Sequence, residues 1–448
     1  MSFWDAVGSI SAHQQFLLVA ALLVAFGFEF INGFHDTANA VATVIYTRTL
    51  PPTPAVIYSG SMNFLGVLIG GTGVAFSIVN LLPVDILVET GSSNKSLVMV
   101  LSLLIAGVFW NLGTWCLGLP VSSSHTLIGS ILGVGLANSL AQGVWGLNMA
   151  AVNKVLLALL LSPLVGFTCA AILLWVMKRV IRERRLYLPP EGDDKPPVWV
   201  RATLVGTCGG VSFAHGSNDG QKGMGLILLV LIGFLPFHYA LDTNKPDKAR
   251  QVAAAAAEAK QVAGPDADPA LVKELDYLAA ELADKGSFAD LQPDHRWQVR
   301  QSLMRANKLI GSNPGLAATK KTFTGAMEYV PLWVVVGTAL ALGIGTTIGY
   351  KRIVITVAER IGKAHLSYAQ GAAAELVAAA TIFGADVTHL PVSTTQVVSS
   401  GIAGTMAANG NGVQPTTVRR ILLAWVLTLP ATMLLSGCLY LLGRQIVG

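Results

Sequence analysis

The sequence predicts an all-α, polytopic membrane protein of two inverted-topology repeats, with about 10–12 membrane segments at roughly 20 apolar residues per crossing, some interrupted or re-entrant. Three observations carry that prediction. Hydrophobic residues make up 53% of the 448 positions and charged residues 12%, where about 25% is ordinary for a globular chain. Apolar stretches of membrane-spanning length follow one another along the chain. Two polar motifs inside those stretches each occur twice, in the same order. A soluble two-lobed enzyme and a disordered scaffold are both excluded by this composition.

The apolar stretches fall near 16–46, 55–82, 97–119, 121–140 and 155–177, then near 199–237, 330–350, 368–390, 392–408 and 421–442. That gives about ten crossings, of which the Ser/Gly-rich fourth and ninth are weak enough to be re-entrant. The chain divides into a first membrane repeat (1–177), a basic linker (178–198), the start of a second repeat (199–240), a charged insert (241–322) and the remainder of the second repeat (323–448). The insert holds 23 of the 55 charged residues, and Leu271, Leu275, Leu278 and Leu282 recur in it at helical spacing, so it reads as an extramembrane helical unit.

Net charge is +5 and the isoelectric point about 9.0. In a soluble chain this would suggest nucleic acid, but here the basic residues sit in short loops, the bias of cytoplasmic loops. Lys178, Arg179, Arg182, Arg184 and Arg185 mark one such loop, Lys351 with Arg352 a second, Arg419 with Arg420 a third, and Arg48 a fainter one. Five crossings before Lys178 place all of them inside and the amino terminus, insert and carboxy terminus outside. The expected surroundings are membrane lipid, with no nucleic acid; a homo-oligomer is compatible. Cys116, Cys169, Cys208 and Cys438 lack metal-ligand spacing and read as buried free thiols.

The repeat decides the architecture. Gly33–Ala40 (GFHDTANA) has a counterpart in Gly216–Gly223 (GSNDGQKG), and Pro120–His125 (PVSSSH) in Pro391–Gln396 (PVSTTQ). Asp36 precedes Pro120 by 84 positions and Asp219 precedes Pro391 by 172, and the difference of 88 is close to the 82-residue insert. An odd number of crossings per half inverts the second half, an architecture of many secondary transporters with a midplane site and alternating access.

Asp36 and Asp219 lie in apolar sequence, where a carboxylate costs about 2.5–3.5 kcal/mol at the helix centre. Small residues and Asn beside each point to an interrupted helix whose carbonyls coordinate a cation; a helix cap or solvated loop is the plainer alternative. Ser122, Ser123 and Ser124, and likewise Ser393, Thr394 and Thr395, follow a Pro-Val pair and read as helix starts. Such starts suit an oxyanion, although hydroxyls also serve ordinary helix packing. Glu29 and Glu375 are further intramembrane acids, fit for coupling or proton transfer. His35 and His125 fit a proton relay, a metal ligand or a simple hydrogen-bonding role. Gly66/Gly70, Gly129/Gly133 and Gly345/Gly349 have the spacing of close helix contacts.

The segments 32–40 (NGFHDTANA), 118–126 (GLPVSSSHT), 215–223 (HGSNDGQKG) and 391–395 (PVSTT) together resemble the PiT inorganic phosphate transporters, most of all the bacterial low-affinity type. The resemblance covers nearly all of the membrane portion. It implies a multi-pass protein of the bacterial inner membrane, without enzymatic activity or a tightly bound cofactor, that imports inorganic phosphate by proton symport. It also implies that phosphate travels alone or as a neutral complex with a divalent metal such as Mg²⁺. Residue by residue it assigns Asp36, Asn39, Asn218 and Asp219, with Asn32 beside them, to cation and phosphate binding, and the two hydroxyl runs to phosphate. Two departures bear on coupling: His35 stands where many members carry Asn, which weighs against sodium ligation, and Gln396 stands where His often follows the second run. Lys222 occupies the repeat position of Asn39, where an ammonium near Asp219 either replaces a bound Na⁺ or snorkels to solvent.

Sulfate, a tetrahedral dianion suited to the same helix starts, is the nearest rival substrate, and sodium-coupled phosphate uptake the nearest rival mechanism. An intramembrane aspartyl protease would need a Gly-x-Gly-Asp signature, which is absent from the sequence.

Overall fold

A computed structural model describes residues 3–82, 93–143, 145, 147–190, 196–264, 267–351, 353–354, 361–410 and 412–447. Arg352 of the basic-loop expectation lies outside these. The regular secondary structure among the described residues is helical, apart from one isolated bridge between Gly362 and Val413. In order the helices are α1 (Phe3–Gly8), α2 (Ala12–Tyr46), α3 (Pro52–Ile69), α4 (Gly73–Val79), α5 (Ser93–Cys116), α6 (Ser123–Gln142), α7 (Met149–Val180), α8 (Val198–Phe234), α9 (Pro236–Tyr239), α10 (Lys248–Ala263), α11 (Pro269–Leu282), α12 (Pro293–Ile310), α13 (Ala317–Met327), α14 (Leu332–Thr347), α15 (Tyr368–Val387), α16 (Thr394–Asn409) and α17 (Pro415–Val447).

The chain forms two compact units, one of Met1–Leu18 with Val230–Pro331 and one of Val19–Leu229 with Leu332–Gly448. Among the described residues four helices are long and apolar enough to cross a bilayer alone, and up to six spans result if each bent helix pair is one span. About ten were read from the sequence. The difference has a physical source: α8, at 37 residues, carries His215, Asn218, Asp219 and Lys222 in its middle, α6 is rich in Ser and Gly, and α16 is both rich in Ser, Thr and Gly and only 16 residues long. Hydrophobicity is diluted where the polar groups are concentrated.

In the larger unit, helices from the two halves of the sequence pair crosswise. α6 runs against α17, α16 against α7, and α3 against α14. Glycine permits these approaches: a Cβ on Gly133 would lie 2.2 Å from the Met433 carbonyl oxygen, and one on Gly404 2.2 Å from that of Phe167. The same relation recurs with Gly66 against the Phe213 carbonyl and Gly345 against the Phe30 carbonyl, each 2.1 Å from a Cβ that is not there. Only hydrogen fits, so backbones touch, as small residues allow between membrane helices. α3 and α4 meet at 78°, the turn being made by Gly71 at φ +87°.

The smaller unit contains α10–α13. Leu271, Leu275, Leu278 and Leu282 form the buried stripe of α11, the face their spacing predicts. Arg296 of α12 donates to the carbonyls of Phe288, Ala289 and Leu291, and Arg300 donates to that of Ala240 at 2.6 Å. The cysteines are free, but only Cys208 is buried; Cys116, Cys169 and Cys438 are exposed. The expectation of burial fails for those three because an apolar helix in lipid has no need to turn every apolar side chain inward.

Candidate functional site

The two Pro-Val-hydroxyl runs fold alike. Ser122 (φ −90°, ψ 112°) caps α6 by accepting from the His125 N–H, and Ser393 (φ −93°, ψ 102°) caps α16 by accepting from the Gln396 N–H. Pro and Val keep the chain extended up to the cap, since Pro cannot supply an N–H to a continuing helix. The caps engage the first hydroxyl of each run and leave the next two at the helix start. Ser124 donates to the Val392 carbonyl at 2.9 Å, so one run abuts the segment that leads into the other.

Asp36 and Asp219 lie within the continuous helices α2 and α8, with 2% and 0% of their surface exposed. The interrupted helix expected around each aspartate is not formed; the interruptions lie before Ser123 and Thr394 instead. Each aspartate is bound partly by its own half and partly by the other. Asp36 Oδ1 accepts from Asn39 Nδ2 at 2.5 Å and from Thr395 Oγ1 at 2.5 Å, and its Oδ2 accepts from Ser123 Oγ at 3.3 Å. Asp219 Oδ1 accepts from Lys222 Nζ at 2.6 Å, and its Oδ2 from Asn32 Nδ2 at 3.4 Å. Asn32 and His215, each four residues before its aspartate, reach the aspartate of the opposite half: His215 Nε2 is 3.2 Å from Asp36 Oδ2 and 3.6 Å from Asp219 Oδ2. An ionised carboxylate buried in a low-dielectric setting needs partners of this kind.

His215 is positioned from behind. Its Nδ1 lies 2.8 Å from Asn63 Oδ1, and Asn63 in turn donates to Thr346 Oγ1 at 2.8 Å. Asp36, His215 and Asp219 offer ligand atoms within 4.8 Å of one another, a carboxylate–imidazole–carboxylate set that suits a divalent metal ion.

The other residues singled out from sequence are distributed as follows. Lys222 is buried and does not snorkel; it also donates to Ser124 Oγ and to the Val392 carbonyl, each at 2.7 Å. Asn218 turns to Asp386, donating to its Oδ1 at 2.6 Å while Ser217 donates to Oδ2 at 2.5 Å. His35 Nε2 meets the Asn111 carbonyl at 2.7 Å, apart from the carboxylate cluster's hydrogen bonds. His125 Nδ1 is 2.8 Å from Ser122 Oγ. Glu375 accepts from Thr43 and from Thr207, the latter at 2.5 Å, and joins neither aspartate. Glu29 is buried against Gly223, and among the described residues neither of its oxygens has a hydrogen-bond partner. Thr394 is buried beside Thr395.

Sequence reasoning passed over His215, Asn63 and Asp386. His215 had a signal, since the repeat aligns it with Asn32. Asp386 had one too, being an acid inside the 368–390 apolar stretch like Glu375. Asn63 had none: only the fold brings α3 to His215.

Residues 32–436 match the phosphate transporter family. The chain is similar to the low-affinity inorganic phosphate transporter PitA of Escherichia coli K12, 42% identical over 97% of this chain and 98% of that protein. It is 39% identical to PitB of the same strain, over 98% of this chain and 99% of PitB. A probable low-affinity inorganic phosphate transporter of Bacillus subtilis is 32% identical, over 97% and 100% of the two chains. Among solved structures, one titled the sodium-dependent phosphate transporter shares the fold, with a TM-score of 0.59 at 20% identity over 96% of this chain and 99% of that one.

Proposed function

This chain belongs to the phosphate transporter family, and from that premise we propose that it imports inorganic phosphate across the bacterial inner membrane by proton symport and alternating access. It is a phosphate transporter of the PiT type, a multi-pass membrane protein and not an enzyme. The observation that carries the finer reading is the crosswise bonding of the two halves at one buried centre. Thr395 and Ser123 meet Asp36, Asn32 meets Asp219, and Lys222 meets Ser124.

Those bonds join the halves, so opening the centre to either side of the membrane must break some of them. An unpaired buried donor costs about 1–3 kcal/mol. A phosphate between the two helix starts repays that loss, because its oxygens accept from Ser123, Ser124, Thr394, Thr395, Asn39 and Lys222. Helix dipoles at α6 and α16 favour the same anion. Near neutral pH phosphate keeps a proton, which Asp36 or Asp219 accepts in a hydrogen bond; sulfate has none to give. The coupling proton moves among the carboxylates and His215, with Glu29 and Glu375 as further proton-bearing candidates. A divalent ion that accompanies phosphate as cargo would meet the Asp36–His215–Asp219 set.

The test is labelled phosphate uptake into proteoliposomes under imposed pH or Na⁺ gradients, with and without Mg²⁺, and with competing sulfate. Uptake driven by the pH gradient and insensitive to sulfate supports the reading. Equal competition by sulfate would favour a general tetrahedral oxyanion permease, and uptake driven only by Na⁺ would replace the coupling ion.

A further inference from the structure

Lys222 makes three hydrogen bonds, one for each ammonium proton, and all three acceptors are of different kinds. They are the Asp219 carboxylate at 2.6 Å, the Ser124 hydroxyl at 2.7 Å and the Val392 main-chain carbonyl at 2.7 Å. The side chain is 2% exposed. Val392 belongs to the extended segment before α16, where the carbonyl is free of helical bonding. A carboxylate, a hydroxyl and an unwound-backbone carbonyl around one point form the oxygen cage that a small monovalent cation takes in transporters with broken helices.

At the repeat-related position the amide Nδ2 of Asn39 touches Asp36 Oδ1 and, at 3.3 Å, Thr395 Oγ1. Asn39 is neutral and shorter. One aspartate is therefore bound by a permanent cation and the other is not. The fold is shared with a structure titled sodium-dependent, whereas here the charge at Asp219 is carried on the chain itself.

We infer that the Asp219–Ser124–Val392 cage is a monovalent-cation site filled by a tethered cation, the Lys222 ammonium, and that this frees the protein from dissolved Na⁺ at that half. The inference rests on the symport reading. The ammonium cannot leave, so the Asp219–Ser124–Val392 cage itself exchanges no cation with the solution during a cycle. Lys222 is a positioning residue for Asp219 and Ser124 and at the same time the fixed counter-charge of the centre.

The experiment compares wild type with Lys222→Asn, Lys222→Gln and Lys222→Met, purified full-length, in NaCl and in choline chloride. Two readouts are taken: thermal unfolding in detergent, and labelled phosphate uptake at a fixed imposed pH gradient. Wild type should be indifferent to the exchange of Na⁺ for choline in both. Lys222→Asn and Lys222→Gln open the cage; uptake in choline should fall about tenfold or more, Na⁺ should restore part of it, and Na⁺ should raise their unfolding temperature. Lys222→Met fills the volume without charge and should stay inactive and Na⁺-indifferent. If the folded Asn and Gln variants show no Na⁺ response, or if Lys222→Met transports like wild type, the inference is overturned. Absence of phosphate uptake in wild type would instead defeat the symport reading, and the unfolding measurement would still decide the cation site.

Discussion

Asn39 and Lys222 each stand three residues after an aspartate, and each reaches the third hydroxyl of the opposite run: Asn39 Nδ2 lies 3.3 Å from Thr395 Oγ1, and Lys222 Nζ 2.7 Å from Ser124 Oγ. A similarity first written as a repeated string is thus also a repeated set of contacts. At these two positions the contact recurs while the charge differs, a neutral amide beside Asp36 and an ammonium beside Asp219.

His215 spans the two aspartates, and its removal should cost more than the removal of either flanking amide. His215→Gln keeps a donor but not a titrating group. Uptake at an imposed pH gradient should drop by about two orders of magnitude, while binding of phosphate, measured by its effect on thermal unfolding, should change much less. A variant whose uptake keeps the wild-type pH profile would take His215 out of the proton path.

Asp386 holds Ser217 and Asn218 on α8, next to Asp219. Asp386→Ala leaves the Ser217 hydroxyl without its acceptor and Asn218 Nδ2 with the Leu390 carbonyl alone, with an expected loss of about 1–3 kcal/mol and a raised KM for phosphate. Asp386→Asn keeps one acceptor and should fall between. Equal unfolding temperatures for Asp386→Ala and wild type would contradict this.

Glycine at the crosswise contacts admits no substitute. Gly133→Ala and Gly404→Ala place a methyl against a main-chain carbonyl, and each should destabilise by about 1–3 kcal/mol or more. Gly113, which has nothing within 4 Å of its would-be Cβ, is the control: Gly113→Ala should be neutral or slightly stabilising in the same denaturation assay.

The smaller unit stands on the leucine stripe of α11. Leu275, fully buried, is its most direct probe, and Leu275→Ala should cost about 2–5 kcal/mol. Protease accessibility of the segment 241–322 should rise accordingly. Unchanged cleavage kinetics would mean that the stripe contributes little.

The sequence disclosed the helical membrane class, the duplicated motifs and the two helix starts, because each depends on local pattern: apolar length, Pro before a hydroxyl, and recurrence. It did not disclose which side chains exchange partners. Asn218 was singled out from its place beside Asp219, but its bond to Asp386 on α15 is set by tertiary packing. Glu375 read from the sequence as a further intramembrane acid, and which groups it meets, Thr43 and Thr207, came only with the fold. Lys222 could have faced solvent or the centre with the same sequence around it. The burial of Asp219 and the arrival of Ser124 from the other half fix it inward.

The measurement that bears most directly on the account is concentrative phosphate uptake by Asp36→Asn and Asp219→Asn in proteoliposomes with an imposed pH gradient, each compared with wild type for protein inserted and unfolding temperature. Each substitution, in a folded protein, should abolish accumulation above equilibrium. Accumulation at wild-type levels in both would show that phosphate movement does not depend on the carboxylates shared between the halves.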